Sequence, residues 1–497
     1  MTKNKTTTPQ KQLTLFDSVC VIMGIVIGVG IFETTPFIAF MAGSPEVLLG
    51  VWLVGGLIAL LGAMCYAELS TSFPRDGGDY VFLTQAYGNR TGFLFVWAEY
   101  WVIRPANIGM MAFVFATYSY EALVYLTPQA LAETPTKTWS LGLAGGAILV
   151  LAGLNVLGVK TGKWTQNVFT VAKIVGLLLV IGAGLILPAF VPPVTITTAA
   201  APAVVEPALA QPAETTPVAA ATEEATPDTA TGDAEPEKAS WPPLDSLQLA
   251  MVLVLFTYGG WNEISYVAAE VRHPERNLWR ALLLGLVGIM LIYLLTNFAL
   301  IRLLGYEGLA GAKAVAGKAL APRLGPLAGA GVSLLIAVSS LGALNGMIMT
   351  GARLYYSLGA ELPVFSWLGV WNARFDAPIR SITVQAIVAV LMVLSFGRYE
   401  HAFSELVRFS TPVFWFFVFM VVISLFILRH KRPDLERPFR IPFYPWAPLL
   451  FCMCCVLIFE SSFKYALESQ ENEALWAIGW VALGAVLSRF VAEPAKV

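Results

Sequence analysis

The chain has 497 residues, of which 57% are hydrophobic and 13% are charged, and its formal net charge is −2. The charged fraction is about half that of a typical soluble domain, and the mean hydropathy is +0.70. Such a chain has too little polar surface to cover a water-soluble globule, so most of its outer surface must face lipid. These values exclude a cytosolic enzyme, a secreted domain and a nucleic-acid-binding protein, since the last needs a basic face.

The cysteines and the start of the chain carry no sign of secretion. The five cysteines all lie in apolar runs, which predicts neither a disulfide framework nor a zinc site. The first apolar run starts at Phe16 and extends for about 25 residues, too long for the core of a signal peptide. We therefore interpret this run as a membrane span. The cysteines are Cys20, Cys65, Cys452, Cys454 and Cys455.

Twelve segments are long and apolar enough to cross a bilayer, which takes roughly 20 residues as a helix. Their apolar residues surround each segment on all sides, as in lipid-embedded helices, whereas barrel strands alternate. The sequence therefore predicts an all-α membrane protein with twelve transmembrane helices. The predicted spans are 16–40, 47–72, 93–126, 140–159, 168–190, 246–271, 279–304, 328–357, 380–396, 403–428, 446–465 and 474–492.

Basic residues orient these spans. If the N-terminus is cytoplasmic, the inner segments carry 20 of the 31 Lys and Arg, the outer segments carry 8, and 3 lie within spans. This asymmetry predicts that both termini are cytoplasmic, in the plasma (cell inner) membrane. The predicted divisions are a cytoplasmic tail at 1–15, spans one to five at 16–190, a disordered outer loop rich in Ala, Pro, Thr and Glu at 191–244, spans six to ten at 245–428, and the last two spans with a short tail at 429–497.

Glycines interrupt the first and sixth spans. The first contains Gly24, Gly28 and Gly30, and the sixth contains Gly259-Gly260. Each glycine costs about 1 kcal/mol of helix stability relative to alanine. Unwound backbone at this depth is tolerated only where it is buried or faces a cavity. Gly24 and Gly28 also form a GxxxG pattern, which could instead serve close helix packing.

The two interruptions together predict more than either alone. Both spans begin with Asp-Ser, at Asp17 and at Asp245, which suits helix N-capping. The sixth span comes five positions after the first, and this odd difference means that the two spans run in opposite directions, as in an inverted five-plus-five repeat. Free N–H groups near Gly30 would attract a carboxylate. Free carbonyls near Val26 and in 256–259 would attract an ammonium group, so the pattern predicts a site for an α-amino acid.

Several motifs resemble the amino acid–polyamine–organocation permease superfamily, nearest to its L-type amino-acid transporter branch. They cover nearly the whole chain except the predicted outer loop. The resemblance implies a leucine-transporter-like fold that works by alternating access. The motifs are GIVIGVGIF at 24–32, YAELSTSFPRDGGDYVFL at 66–83, GLNVLGVKTG at 153–162, FTVAK at 169–173, FTYGGWNEISYVAAEVRHPERN at 256–277, LNGMIMTGAR at 344–353 and RPFRIPFYPWAP at 437–448.

The resemblance also implies the residues of the substrate site. It assigns the substrate carboxylate to backbone N–H groups and the amino group to carbonyls, with the Phe256 ring as the outer gate. The family often has Ser or Ala where this chain has Val29, so a hydroxyl contact is absent here. The implied substrate-binding residues are Gly28, Val29 and Gly30 for the carboxylate, Val26, Phe256 and Gly259 for the amino group, and Asn262 beyond the break.

Ionisable residues within membrane spans are functional candidates. Lys173 could direct its ammonium towards the inner face. The resemblance instead implies an amine that bridges to the first span where sodium-coupled relatives bind the ion, which disfavours sodium coupling. Glu33 and Glu263 are candidates for specificity, because either carboxylate could meet a basic side chain.

Other charged residues are interpreted as structural or gating groups. Glu99 and Arg104 are five residues apart, too far around a regular helix for the best pairing, so we expect partners on neighbouring helices. Glu68 and Glu270 match acidic positions of the family near inner span ends, where salt bridges to Arg or Lys would form a gate.

The sequence thus predicts a secondary transporter of neutral L-amino acids that works as a proton symporter or an exchanger. The alternatives are a cationic amino acid or polyamine transporter, and an amino-acid sensor that does not transport. The chain has neither an H-E-x-x-H nor a G-x-S-x-G motif, so no enzyme, metal or cofactor is expected. Some L-type relatives pair with a glycoprotein through a cysteine in the second outer loop. That loop, 127–138, has none here, so we expect no disulfide-linked partner.

Overall fold

A computed structural model describes residues 11–127, 136–186, 242–310, 321, 325–399, 402–467 and 473–490. Nearly all of the predicted outer loop, most of the N-terminal tail and the last seven residues lie outside these ranges. Within them the chain is built from helices, together with two isolated β-bridges. The all-α class predicted from the composition is therefore confirmed.

In the first half of the chain, residues 11–127 and 136–186 form nine α-helices and a π-helical turn. The π-helical turn, Glu99–Ile103, separates α6 from α7. The helices are α1 (Leu15–Val26), α2 (Gly30–Glu33), α3 (Thr35–Ala42), α4 (Pro45–Ser72), α5 (Asp79–Tyr87), α6 (Asn89–Ala98), α7 (Arg104–Leu126), α8 (Thr136–Val156) and α9 (Val159–Ile186).

The described residues of the second half form eight further α-helices of four or more residues. A 3₁₀-helix, Trp261–Glu270, follows the first of them. The helices are α10 (Leu244–Thr257), α11 (Pro274–Leu304), α12 (Tyr306–Ala310), α13 (Pro326–Glu361), α14 (Ile379–Phe396), α15 (Ala402–Lys431), α16 (Trp446–Leu467) and α17 (Glu473–Leu487).

Ten helical segments of the described chain are long and apolar enough to cross a membrane. The predicted sixth span is not among them because it is broken, and α17, with 15 residues, is shorter than the others. The count of twelve stays a prediction. The ten segments are Leu15–Glu33, Pro45–Ser72, Asn89–Leu126, Lys137–Val156, Val159–Ile186, Pro274–Leu304, Pro326–Glu361, Ile379–Phe396, Ala402–Lys431 and Trp446–Leu467.

The predicted Asp-Ser caps are wrong in detail. The N-cap of α1 is Thr14, whose hydroxyl accepts the Asp17 N–H at 3.2 Å, while the Asp17 carboxylate accepts the Thr14 N–H at 2.9 Å. Asp17 therefore closes a capping box from the third position of the helix. The N-cap of α10 is Pro243, which forms no side-chain cap.

The two glycines of the GxxxG pattern have different surroundings: Gly24 lies at a close helix contact, and Gly28 lies in the break. A Cβ atom on Gly24 would lie 2.1 Å from Gln166 Nε2 and 2.4 Å from Thr170 Oγ1 of α9. Gly24 therefore allows α9 to approach, as the packing interpretation expects. A Cβ on Gly28 would have its nearest neighbour, Met111 Sδ, at 3.8 Å, so close packing does not explain that glycine.

Candidate substrate-binding site

The first span is broken at the predicted glycines. Helix α1 ends at Val26, residues 27–29 are not helical, and α2 begins at Gly30. The N-cap residue Val29 makes no side-chain hydrogen bond to the N–H groups of α2. Since the first N–H groups of any helix lack partners within it, the start of α2 offers donors to a bound anion.

The sixth span is broken at Gly259-Gly260. Helix α10 ends at Thr257, and the chain continues from Trp261 as a 3₁₀-helix. Gly260 has a φ of +98°, and a Cβ atom there would lie 2.8 Å from Ile25 Cγ2 of α1. A glycine is required at this position both by its left-handed backbone and by the close approach of the two broken spans.

A cavity lies where the two breaks meet. Its empty volume is about 840 Å³, including the part open to solvent. Eight of the ten residues that the sequence singled out line this cavity, whereas Lys173 and Glu33 do not. The eight are Val26, Gly28, Val29, Gly30, Phe256, Gly259, Asn262 and Glu263.

Gly260 of the predicted second break also lines the cavity, and the remaining lining residues, which were not predicted, come from α1, α7, α10, α13 and α15. Most are large and apolar, with three thioether side chains and two aromatic rings. Glu263 is the only charged residue among all those that line the cavity in the described chain. Methionines in apolar spans resemble lipid-facing residues, so no pattern in the sequence marks them. The apolar members include Met110, Met111, Met347, Phe414 and Trp415, and the polar ones include Asn107, Ser410 and Thr411.

The carbonyl of Val26 is already engaged. It accepts the Gly28 N–H at 2.7 Å and the hydroxyl of Tyr293 at 2.9 Å. The same hydroxyl lies 3.4 Å from the carbonyl oxygen of Thr257, at the end of α10. Tyr293 of α11 therefore joins the two broken ends, a role that the sequence analysis missed because a tyrosine in an apolar span equally suits simple packing.

Lys173 of α9 is fully buried and does not extend towards an aqueous face. Its Nζ donates to the carbonyls of Gly24 at 2.7 Å, Ile27 at 2.6 Å and Ser339 at 2.8 Å. Two of these carbonyls belong to the last turn of α1 and the break, and the third belongs to α13. The three acceptors match the three donors of an ammonium group, and the amine bridges to the first span as the resemblance implied.

The expectation that Glu99 and Arg104 do not pair is wrong. Arg104 Nε lies 3.1 Å from Glu99 Oε2. The π-helical turn that begins at Glu99 adds one residue to the turn, so positions five apart fall on one face of the helix. Arg104 also has the expected partner on another element, because its Nη1 donates to both carboxylate oxygens of Glu263 at 2.7 and 2.8 Å.

Glu263, which lines the cavity, thus also belongs to a buried polar cluster. Thr350 of α13 donates its hydroxyl proton to Glu263 Oε2 at 2.5 Å. The ring of Tyr266 lies 5.3 Å from the guanidinium carbon of Arg104. Since a buried charge is costly unless it is paired and hydrogen-bonded, these contacts are what allow Glu263 to remain beside an apolar cavity.

Glu33 lies away from the cavity lining. Its carboxylate accepts a hydrogen bond from the hydroxyl of Tyr118 on α7. The structure therefore gives Glu33 a partner that the sequence did not predict, and it does not place the carboxylate against the cavity at the breaks.

Ion pairs join the helix ends at the side of the bundle where α1 begins. Glu270 pairs with Arg353 at 2.7 Å, and Glu68 pairs with Arg429 at 2.6 Å. The predicted partners of Glu68 and Glu270 are thus present. Residues Leu13 and Val271 form a parallel β-bridge, in which Arg272 N donates to the Leu13 carbonyl at 2.8 Å. The start of the first broken span and the end of the sixth are therefore tied together.

The connection between α4 and α5 packs against the same end. Asp79 accepts a hydrogen bond from the Tyr266 hydroxyl at 3.0 Å, and Asp76 accepts one from the Ala269 N–H at 3.1 Å. Burial raises the pKa of Asp79 to about 7; the hydrogen bond from Tyr266 opposes that rise, and the charge of Glu99 adds to it. This connection therefore carries a carboxyl group whose charge changes near neutral pH.

The described residues contain no group of three or more His, Cys, Asp or Glu side chains placed to hold a metal ion.

Comparison with known proteins identifies the family. The sequence pattern of the amino acid permease family matches residues 13–485. The mouse protein named b(0,+)-type amino acid transporter 1 is 28% identical over 93% of this chain and 86% of its own length. The human protein named large neutral amino acids transporter small subunit 2 is 28% identical over 89% of this chain and 74% of its own length.

These relatives are named as transporters rather than enzymes, and they agree with the resemblance to L-type transporters that the motifs indicate. The match covers both broken spans and every element that lines the cavity. The chain belongs to the amino acid permease family.

Proposed function

We propose that this protein is a secondary transporter that moves neutral L-amino acids across the membrane by alternating access. The observation that carries the proposal is the cavity at the two breaks, which combines exposed peptide groups with a mostly apolar wall. Membership of the permease family supports amino acid transport in general. The choice of neutral substrates rests on the charges around the cavity.

The backbone around the breaks supports recognition of an α-amino acid. In our proposal the substrate carboxylate binds the N–H groups of Val29 and Gly30, at the start of α2. It also binds the N–H of Gly28, which must first leave the Val26 carbonyl that accepts it at 2.7 Å. The ammonium group binds carbonyls at the end of α10, those of Phe256 and Gly259. Val26 contributes a carbonyl that Tyr293 already holds in place, and the Phe256 ring closes the site from outside, with Asn262 beside it.

The choice of neutral substrates is supported by the hydrogen bonds that Glu263 already accepts. Both of its carboxylate oxygens accept hydrogen bonds from Arg104, and one also accepts the Thr350 hydroxyl. A cationic side chain would have to compete with a guanidinium group that is already in contact. The thioether and aromatic side chains of the wall instead suit an aliphatic or aromatic substrate side chain.

The two coupling modes differ in what Lys173 does. In proton symport, the buried amine would lose and regain a proton during the cycle. In exchange, it would keep its charge and brace α1 against α9 and α13. In both modes the amine takes the carbonyls of Gly24 and Ile27, so we expect no dependence on sodium. Uptake should be unchanged when sodium is replaced by N-methylglucamine.

The topology completes the proposal. We infer twelve spans in an inverted five-plus-five arrangement, with both termini in the cytoplasm and the protein in the plasma (cell inner) membrane. The side of the bundle with the ion pairs of Glu68 and Glu270 then faces the cytoplasm. Accessibility of single introduced cysteines at Arg272 and Arg398 to a membrane-impermeant reagent tests this orientation.

We also propose that transport needs no disulfide-linked subunit. The five cysteines lie within α1, α4 and α16, and four of them are buried. None is placed on a connecting segment where a partner chain could reach its sulfur. Transport by the purified chain alone would support this point.

Uptake of a panel of labelled amino acids into proteoliposomes tests the function. We expect uptake of neutral amino acids and little uptake of lysine or polyamines. Uptake only into vesicles preloaded with substrate would show exchange, and uptake driven by a pH gradient alone would show symport. Binding without uptake would show an amino-acid sensor, and preferred uptake of lysine would show a cationic transporter; either result would contradict the proposal.

A further inference from the structure

One surface of the bundle combines exposed arginines with aromatic rings and takes no part in the proposed substrate path. It is formed by the first turns of α11, by residues 432–445, which connect α15 to α16, and by the first residue of α16. We call this the arginine–aromatic surface. Its members are Trp279, Arg280, Phe439, Arg440, Phe443 and Trp446.

A ring pair joins the two segments. Trp279 of α11 stacks on Phe439 with a centroid distance of 5.5 Å and an interplanar angle of 21°. The guanidinium carbon of Arg280 lies 5.4 Å from the Trp279 ring centroid, and Arg440 directly follows Phe439. Both arginines are exposed, and neither has an ion pair with any described residue. One arginine without an ion pair therefore contacts the aromatic stack, and a second directly follows it in the chain.

The connecting segment is held in one conformation. The Glu68 carboxylate at the end of α4 accepts the Ile441 N–H at 2.8 Å and pairs with Arg429. Arg437 donates to the carbonyls of Leu435 and Arg432, each at 2.9 Å. The surface is thus formed before any ligand binds, which lowers the entropy cost of binding.

Exposed side chains fix the depth of this surface in the bilayer. Phe443 is 82% exposed and Trp446, the first residue of α16, is 74% exposed. Exposed aromatic residues at helix ends lie at the membrane–water interface. The next outward-facing residues of α16 are Leu449 and Leu450, which suit lipid tails. Arg440 therefore lies at the level of the lipid headgroups.

An exposed apolar residue of α11 indicates a similar depth in the bilayer for Arg280. Leu284 is 57% exposed and lies four residues after Arg280, about one helical turn deeper. We therefore expect Arg280 and Arg440 to lie at one level of the bilayer. Their neighbourhood is basic, with five further cations and three anions in 272–280 and 431–446. These are Arg272, Arg276, Lys431, Arg432 and Arg437, and Glu275, Asp434 and Glu436; of them, Arg437 pairs with Glu68.

We propose that the arginine–aromatic surface binds the phosphate headgroup of an anionic glycerophospholipid through Arg280 and Arg440. Guanidinium groups bind phosphate oxygens in pairs, and they are less strongly hydrated than ammonium groups. The stacked rings and the exposed Phe443 and Trp446 supply the apolar contact for the glycerol and the first acyl carbons. The lipid would then rest against the segment that Glu68 anchors.

Lipid binding can be measured on the whole protein. The purified chain is placed in nanodiscs with equal amounts of phosphatidylglycerol and phosphatidylcholine, and bound lipids are counted by native mass spectrometry. We expect phosphatidylglycerol to be retained preferentially. Arg280→Ala and Arg440→Ala should each weaken this preference about fivefold, as expected for one cation near an anionic surface.

Arg398→Ala is the matched control. Arg398 is also exposed and also lies over an aromatic ring, that of Tyr399 at 5.5 Å. It precedes α15, whose 30 residues place it about 45 Å from the connecting segment. The control should leave the preference unchanged. Equal losses in all three variants would overturn the proposal, as would equal retention of both lipids by the wild type.

Inorganic phosphate distinguishes the lipid from a soluble anion. Because the proposed site needs acyl and glycerol contacts, 10 mM phosphate should leave phosphatidylglycerol retention intact. Displacement of the lipid by phosphate alone would show a soluble-anion site instead. Both arginines are exposed, so their substitution should leave the elution profile of the protein unchanged.

Discussion

Arg104 Nη1 donates to both carboxylate oxygens of Glu263, at 2.7 and 2.8 Å, across the space between α7 and the 3₁₀-helix that follows the second break. The contact joins a helix of the cavity wall to the broken sixth span. It also means that the Glu263 carboxylate, which lines the substrate cavity, is already paired with a cation of the protein. The pair therefore bears on both the fold and the choice of substrate.

Substitutions of Arg104 and of Glu263 should lower the stability of the folded protein by different amounts. Arg104→Met would leave the carboxylates of Glu99 and Glu263 buried without a cation. Removing one partner of a buried pair costs about 3–5 kcal/mol, so we expect a large fall in melting temperature by fluorescence-detected size exclusion. Glu263→Gln leaves Arg104 paired with Glu99 and should lower the melting temperature much less. Equal losses in the two variants would contradict the assigned pairing.

Lys173 should be needed for transport. Lys173→Met removes the donor to three buried carbonyls, two of them at the break in the first span, so the unwound segment should lose its shape. We expect uptake into proteoliposomes to fall below a tenth of the wild-type rate. Ser339→Ala is the control: its hydroxyl donates to the Ile27 carbonyl at 2.9 Å, but Lys173 still serves that oxygen. If Lys173→Met transports normally, the bridging role is wrong.

Two glycines at the breaks should respond differently to alanine. A Cβ on Gly28 meets nothing closer than 3.8 Å, so Gly28→Ala should keep its melting temperature but place a methyl group in the carboxylate site. We expect KM to rise at least tenfold. Gly260→Ala forces a left-handed backbone onto alanine and brings its Cβ to 2.8 Å from Ile25, so the protein itself should be destabilised, by about 1–3 kcal/mol. An unchanged KM in Gly28→Ala would argue against the assigned carboxylate site.

Asp79 should make stability depend on pH. Its pKa of about 7 in the folded protein lies above the value near 4 of an exposed aspartate, because burial disfavours the charged form. The folded state therefore binds the proton more tightly, and this contribution is lost as pH rises through 7. We expect the melting temperature to fall between pH 5 and pH 8. The decrease should be smaller in Asp79→Asn, and an identical profile in both proteins would refute the role of this carboxyl group.

The breaks in the two spans were predictable because glycine destabilises a helix, so its presence within a membrane span needs a structural reason. Gly28, Gly30 and Gly259-Gly260 stand in spans where a helix former would otherwise be expected, and each pair marks an interruption that the structure contains. The bridging role of Lys173 came from the resemblance to the family, since the residues alone equally suited an ammonium group directed towards the inner face. The salt bridges of Glu68 and Glu270 were also predicted from the resemblance, which marks both as acidic positions near inner span ends.

The errors came from assuming regular helices. Glu99 and Arg104 were expected to be apart because a 3.6-residue turn separates positions five apart, and the π-helical turn removes that separation. The capping residue Thr14 was missed because Asp17-Ser18 looks like a stronger start. Tyr293 gave no signal, because its role depends on the position of its hydroxyl in three dimensions rather than on any spacing in the chain.

The central claim is that peptide groups at two breaks bind both charges of an α-amino acid. The most direct measurement is competition against uptake of the preferred neutral amino acid by its two singly charged analogues, the amine without a carboxylate and the acid without an ammonium group. Each charge-assisted set of hydrogen bonds contributes about 1.5–3 kcal/mol, so the account predicts that each analogue competes roughly 10- to 100-fold more weakly. Inhibition by either analogue at the concentration of the amino acid itself would contradict it.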